Sequence, residues 1–576
     1  MNKILFVTIV FVLLCSCKQE SSNSTENASH TLQAVIDSYH SHKGFDNDQY
    51  PLGLFTKSYY EAEAQFAQEK LDELTEINFD NLSETDQISL KLLVFNLQDK
   101  IDFYKFERYL NPITSNTGFH SSLPYKVKPL TNYKQVQDYL NQLNAIPEFV
   151  DQHLENMREG LQKGVSQPQV IFEGYESTYN DHIVSDFKKS FYYLPFKDLP
   201  ATLTEEQEEA VLKAAKTAIE TNVVPQFKRI KEFFDLEYIP NTRTTLGVSN
   251  LPDGEAYYQN RINFYTTSTL YTADDIHNIG LREVARIKVE MKEIIEDLDF
   301  EGTFKAFLRF LRTDEQFYAK TPEQLLMLAR DIAKRADAQL PRFFNTLSRK
   351  PYGVAPVPDA MAPKYTGGRY IPTSSESTDP GYYWVNTYDL PSRTLYTLPA
   401  LTAHEAVPGH HLQISLSREL GDSIPKFRRF FSVTAFVEGW GLYSETLAEE
   451  MGLYTTPYQK FGKLTYEMWR ACRLVVDTGI HAKGWTREQV VDYMASNTAL
   501  SLLEINAETD RYISNPGQAV SYKIGELKIK ELRKKAEQQL GTKFDIRAFH
   551  QVVLEQGTVT LPILEERVNH YIRSRQ

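Results

Sequence analysis

Cysteine is scarce in this chain: three among 576 residues, at positions 15, 17 and 472. The first two close an amino-terminal apolar run. Only Cys472 belongs to the bulk of the chain, so no internal disulfide can form there. A lone thiol makes a poor metal site and reads as a small buried apolar residue. Beyond the amino terminus no apolar run reaches the ~20 residues that a membrane-spanning helix needs. Ser/Gly-rich or Pro-rich linkers, fixed-period repeats and long charge blocks are also missing, so nothing in the composition cuts the chain into pieces. Positive charge is in deficit, with 63 Lys and Arg against 76 Asp and Glu and a formal net charge of -13. That argues against nucleic acid as a partner. The G-x-S-x-G elbow of many serine hydrolases is absent.

The amino terminus carries an address. Met1-Asn2-Lys3 is a short positive start, and Ile4 to Leu14 is an apolar run of signal-peptide length. Leu14-Cys15-Ser16-Cys17 resembles a bacterial lipobox, with cleavage before Cys17 and lipid on its thiol. The expected organisation is a signal peptide over 1–16, lipidated Cys17 with a disordered polar tether to residue 30, and one large helical domain over 31–576. Lys18 after Cys17 points to the outer membrane. The expected location is the cell envelope, lipid-anchored to the outer or cytoplasmic membrane, with the domain periplasmic or surface-exposed.

Helical periodicity dominates the rest. Tyr139, Leu143, Ile146, Val150, Leu154, Met157 and Leu161 fall four and three apart, as on one face of a long helix ending near Gly164. Thr204, Thr272, Thr321 and Thr486 each sit where a capping residue belongs ahead of a further helix. Strand signals are few, the best being Arg369–Pro372 and Gly381–Thr387. The pattern predicts a mainly α enzyme, two lobes around a cleft, with a small antiparallel sheet beside the site.

The chemistry concentrates in His404-Glu405-Ala406-Val407-Pro408-Gly409-His410-His411. Three of the chain's 13 histidines lie in these eight residues. Without Pro408 and Gly409 the run reads His-Glu-Ala-Val-His. That is the HExxH pattern, in which two histidines one helical turn apart hold zinc and the glutamate activates water. On an unbroken helix His404 and His411 would share a face about 10.5 Å apart along the axis, too far for one ion. Proline and glycine break or bulge a helix. A two-residue bulge would put His410 in place as the second ligand, with His411 as the competitor. Glu405 is the natural general base. For a third ligand the choices are Glu438 and Glu445, seven residues apart and able to face one way. Glu438, beside Gly439 and Gly441, is the better ligand, and Glu445 the better partner for a ligand histidine.

Other polar residues are candidates for the remaining roles. Arg473, Asp477 and His481 form a stripe at i, i+4, i+8, with His481 a possible site residue and a salt-bridged surface face the plainer alternative. The loop from Arg511 to Gly525 carries a Pro-Gly turn. Tyr522 could donate to a developing oxyanion, and Arg511 could hold a substrate carboxylate.

HEAVPGHHLQ (404–413), FVEGWGLYSE (436–445), RLVVDTGIH (473–481) and RYISNPGQAVSYKIGELKI (511–529) follow the lipobox in this order. LPDGEAYY (251–258) and GYYWVNT (381–387) accompany them. Together they resemble the bacterial family catalogued as domain of unknown function 885, over most of the mature chain. The resemblance implies a zincin-like helical fold and a metallopeptidase. It is more distantly similar to the helical carboxypeptidases and dipeptidyl carboxypeptidases, in which a strand ahead of the zinc helix pairs with the substrate backbone. Gly381–Thr387 would be that strand, with Tyr383 and Asn386 as contacts. The expected function is a zinc-dependent peptidase of the envelope acting on peptides. The rival readings are a zinc-dependent amidase or esterase with the same ligands, and a non-catalytic binding lipoprotein that kept the fold. Intact Glu405 argues against the last, since binding alone needs no general base.

Overall fold

The computed structural model describes residues 26–576 apart from 360, 375, 376 and 423. The expected signal peptide, Cys17 and most of the expected tether lie outside the described residues. The tether's last residues do not stay disordered: a helix runs over 26–41, with Ala28, Leu32, Val35 and Ile36 buried at helical spacing.

The protein is mainly helical, at 69% helix. Local signals explain where the helices start. Thr204, Thr272 and Thr486 cap Glu205–Ala218, Ala273–Asp297 and Arg487–Asn497 through reciprocal capping boxes, and Thr321 caps Pro322–Phe343. The long helix expected over 139–161 is two, Tyr133–Asn144 and Ile146–Gln162. Pro147 sits in the first turn of the second, where its missing N–H costs nothing. The apolar face runs on across the break, from Tyr139 to Met157, so periodicity alone could not see the division.

The sheet has three strands: β1 (Tyr352–Pro356), β2 (Gly368–Ile371) and β3 (Gly381–Val385). The order is β1-β3-β2, with β1 parallel and β2 antiparallel to the central β3. It is therefore mixed rather than antiparallel, because β1 was not visible in the sequence.

The helix Pro457–Lys483 is the internal axis, buried along most of its length and packed against Ala273–Asp297. Leu464, Met468 and Val476 belong to one large apolar cluster and Leu474 to a second. The second cluster holds the helices that build the site, Thr434–Glu450 and Ser521–Leu540. These two cross with backbones in contact: a Cβ on Gly525 would lie 1.9 Å from Ala435 O, and one on Gly439 2.6 Å from Gly525 Cα. Cys472 is fully buried and unpaired. Among the described residues no helix is long and apolar enough to cross a membrane.

Candidate functional site

The helix Leu398–Glu405 ends at the motif and His410–Arg418 resumes it. Between them the hydrogen-bond ladder skips. Ala406 N–H donates normally to Thr402 O, but Gly409 N–H donates to Ala403 O, six residues back instead of four. Two residues have been looped out, and His410 takes the place four positions after His404. Gly409 is required here, since a Cβ would lie 2.0 Å from His404 O. Trp440 Nε1–H donates to Pro408 O at 2.9 Å, which ties the loop to the helix Thr434–Glu450.

That helix grips His404 from both sides. Glu445 Oε1 lies 2.8 Å from Nδ1, and Glu438 Oε2 lies 3.4 Å from Nε2. The two carboxylates are two turns apart, and the ring lies between them over Gly441. A Cβ at 441 would come within 2.7 Å of His404 Nε2. His410 Nε2 approaches the same Glu438 oxygen at 3.6 Å, while its buried Nδ1 has no hydrogen-bond partner. His404, His410 and Glu438 thus offer three ligand atoms within 4.8 Å of one another. Zinc bonds of about 2.0–2.1 Å at tetrahedral angles separate ligand atoms by about 3.3–3.4 Å, so this donor set fits that ion. Glu445 fixes the tautomer that leaves His404 Nε2 free to ligate.

The charges answer to this geometry. Burial disfavours an imidazolium at His404, but the hydrogen bonds to Glu438 and Glu445 outweigh it and lift its pKa to about 9. Burial likewise opposes the Glu438 carboxylate, yet His404 and His410 hold it well below the usual range. A bound cation would take over the compensation that these groups now give one another. Glu405 is nearly buried, and Tyr370 N–H donates to its Oε2 at 2.8 Å. Its other oxygen receives no hydrogen bond from the described residues.

The remaining candidates divide. His411 points away from the group: its Nδ1 meets Tyr370 Oη at 3.0 Å, its Nε2 meets Ser348 Oγ at 3.2 Å, and burial lowers its pKa to about 4. Burial raises the Tyr522 phenol pKa and the Glu438 charge adds to the rise, while Arg473 lies 4.4 Å from its ring centroid.

Several expectations are corrected. His481 is fully buried with both ring nitrogens engaged, Nδ1 accepting from Val248 N–H and Nε2 donating to Tyr512 O. It locks backbone and is no site residue. The whole Arg473–Asp477–His481 stripe is interior, not a surface face. Arg511 is spent on Glu508 and Gln518, so it is not free for a substrate carboxylate. Tyr383 is wholly buried under the His404 helix among Val385, Leu398 and Ala406. Asn386 gives its amide to the carbonyls of Ala362, Tyr365 and Thr366, holding a loop rather than a ligand. As the central strand, β3 has no free edge for a substrate; β2, whose Tyr370 reaches Glu405, is the edge strand beside the motif. The sequence offered no signal for the Tyr370 N–H, since a backbone donor has no residue type.

Fold and geometry define a mainly helical protein with a buried His-His-Glu group that can hold a metal. The chain matches the family described as "Bacterial protein of unknown function (DUF885)" over residues 39–568, and it belongs to that family. It is similar over 96% of its length to the whole of a solved chain described as a "putative lipoprotein from Colwellia psychrerythraea", with a TM-score of 0.85 and 27% identity. A "putative lipoprotein of unknown function from Shewanella oneidensis" shares the fold at a TM-score of 0.66 and 18% identity, over 95% of this chain and 98% of that one. Among curated proteins, none matches the chain.

Proposed function

We propose that this protein is a zinc metallopeptidase, lipid-anchored in the bacterial cell envelope. The observation that carries the reading is the convergence of His404, His410 and Glu438 on one point, with the Glu405 carboxylate on the same bulged helix. A zinc ion held there supplies Lewis acidity for attack of water on a peptide carbonyl. The chain's own residues do the rest. Glu405, with one oxygen fixed by Tyr370 and the other open, takes the proton of the attacking water and passes it to the leaving amine. Tyr522, whose phenol feels the Glu438 charge, would donate to the oxyanion. Glu445 keeps His404 turned towards the metal. Edge strand β2 offers its backbone to an extended peptide.

The anchor rests on the apolar run before Cys17 and on the similarity to proteins described as lipoproteins. Cys17→Ser should leave the membrane fraction or persist as an uncleaved precursor; fractionation like wild type would end that part of the reading. Metal analysis of the purified chain together with digestion of a peptide library tests the rest. About one zinc per chain and zinc-dependent cleavage are expected. Cleavage that survives complete metal removal would overturn the proposal.

A further inference from the structure

A cavity of about 320 Å³ lies along the His404 helix, bordered by Thr397, Leu398 and Leu401 of that helix, Tyr466 of Pro457–Lys483, and Arg393 and Glu504. Leu401 stands one helical turn before Glu405 on the same face, so the cavity borders the helix that carries the general base. Its two arginines differ. Arg312 is spent on the carbonyls of Thr498, Ala499 and Leu500. The Arg393 side chain makes no hydrogen bond or ion pair with any described residue, and its buried Nε has no acceptor.

The surroundings of Arg393 repeat the same deficit. Glu504 faces the cavity without a hydrogen bond or ion pair for its carboxyl group. Burial, reinforced by Glu508, raises its pKa to about 7 against the opposing pull of Arg393, Arg470 and Arg473. All three guanidiniums therefore act electrostatically on one carboxyl group. Six arginine nitrogens among the described residues are buried without an acceptor, and three of them, Arg393 Nε, Arg470 Nε and Arg473 Nη1, belong to this cluster. A buried donor left without a partner costs about 1–3 kcal/mol, and more when charged. The cluster also touches the metal group twice. Arg470 lies 3.9 Å from Glu445, which holds His404, and Arg473 stacks on Tyr522 beside Glu438.

We infer that this cavity is the carboxylate subsite of the substrate, with Arg393 as the residue that binds the carboxylate. The inference rests on the peptidase reading for what the carboxylate belongs to. It makes the substrate a peptide with a carboxylate on one side of the cleaved bond. Burial favours the protonated form of Glu504, which can donate to the incoming anion instead of repelling it. Two sources share this chemistry, the free C-terminus of a short peptide and an acidic side chain.

The test uses three N-acetylated pentapeptide libraries: neutral with a free C-terminus, neutral and amidated, and amidated with one Asp or Glu. Binding is measured to the full chain carrying Glu405→Gln, alone and combined with Arg393→Gln or Arg393→Lys; cleavage is measured in wild type. The free-acid library or the acidic-side-chain library should bind about 10- to 100-fold more tightly than the neutral amide, as expected of a charge-assisted Arg–carboxylate contact. Arg393→Gln should erase that preference and Arg393→Lys should restore part of it. Whichever library is preferred identifies the source. Equal binding of all three, binding of none, or a preference that Arg393→Gln leaves intact overturns the subsite. A preference lost in Arg393→Gln without any cleavage by wild type would keep the subsite and discard the peptidase reading. Cleavage without preference would do the reverse.

Discussion

Two sets of buried charge share the helix Pro457–Lys483 and are built oppositely. Earlier along the helix Lys463 and Glu467 meet Lys523, Glu526, Glu283, Arg286 and Lys530. Lys523 is completely buried, and three carboxylates lie within 3.1 Å of it. Each charge there has an opposite neighbour, so the network is closed as ion pairs, although Glu467 Oε2 accepts no hydrogen bond. A turn further along, Arg470 beside Glu445 and Arg473 over Tyr522 each keep one buried guanidinium nitrogen without an acceptor. His404 and His410 share one carboxylate oxygen at 3.4 and 3.6 Å, longer than good hydrogen bonds. The closed set has nothing to offer a ligand and ties three helices together. The open set leaves valences that only something from outside can fill. Burial of charge alone does not mark a functional site; burial of charge without completion does.

Zinc binding should break the comparison most visibly. His404→Ala with Glu438→Ala is expected to abolish zinc content by metal analysis, and His410→Ala should lose far more metal than His411→Ala. Equal loss in those two single variants would contradict the bulge register. Next in size is Glu405→Gln. It keeps the shape and the Tyr370 hydrogen bond but cannot take a proton, so turnover should fall by ~10²–10⁴-fold with zinc retained. Near wild-type turnover in a metal-loaded Glu405→Gln sample would end the mechanism.

Stability should then separate the two sets. Lys523→Met leaves Glu467 and Glu526 short of a cation and should cost about 3–5 kcal/mol in denaturant unfolding. Arg393→Gln loses no protein partner and should stay within about 0.5 kcal/mol of wild type. A reversal of this order would mean that the open set is structural after all. The smallest effect concerns pH. Burial raises Asp477 to about 7 despite hydrogen bonds from Tyr258 Oη–H and Gly517 N–H. The folded state thus prefers the protonated acid. Its contribution is fully present below pH ~4, the ordinary aspartate range, and fades as pH rises through about 7. Asp477→Asn should therefore gain Tm relative to wild type between pH 5 and 8; a constant difference across that range would refute the shift.

Much of this protein was legible from the chain because the controlling interactions are local. A Thr cap and its Gln or Asp three residues on, or an apolar residue every three or four, act within a turn or two, so the helices at 205, 273, 322 and 487 could be read directly. HEAVPGHH and FVEGWGLYSE likewise carry within ten residues each the side chains that the structure brings together, because a helix turns fixed sequence spacing into fixed geometry. Beyond that range the reading failed for a physical reason. Whether a buried polar group is spent or free depends on partners from distant parts of the chain, and residue type is silent about them. His481, Asn386, Tyr383 and Arg511 looked available and were each engaged by backbone or by a neighbour across the fold. Arg393 and Glu504 carried no signal at all, yet tertiary packing left them facing one cavity without partners. The sequence by itself determined the helices, the family and the metal-binding vocabulary. Only the tertiary structure decided which histidine joins Glu438, which strand keeps a free edge and which charges stay incomplete, since those depend on long-range contacts that no local pattern encodes.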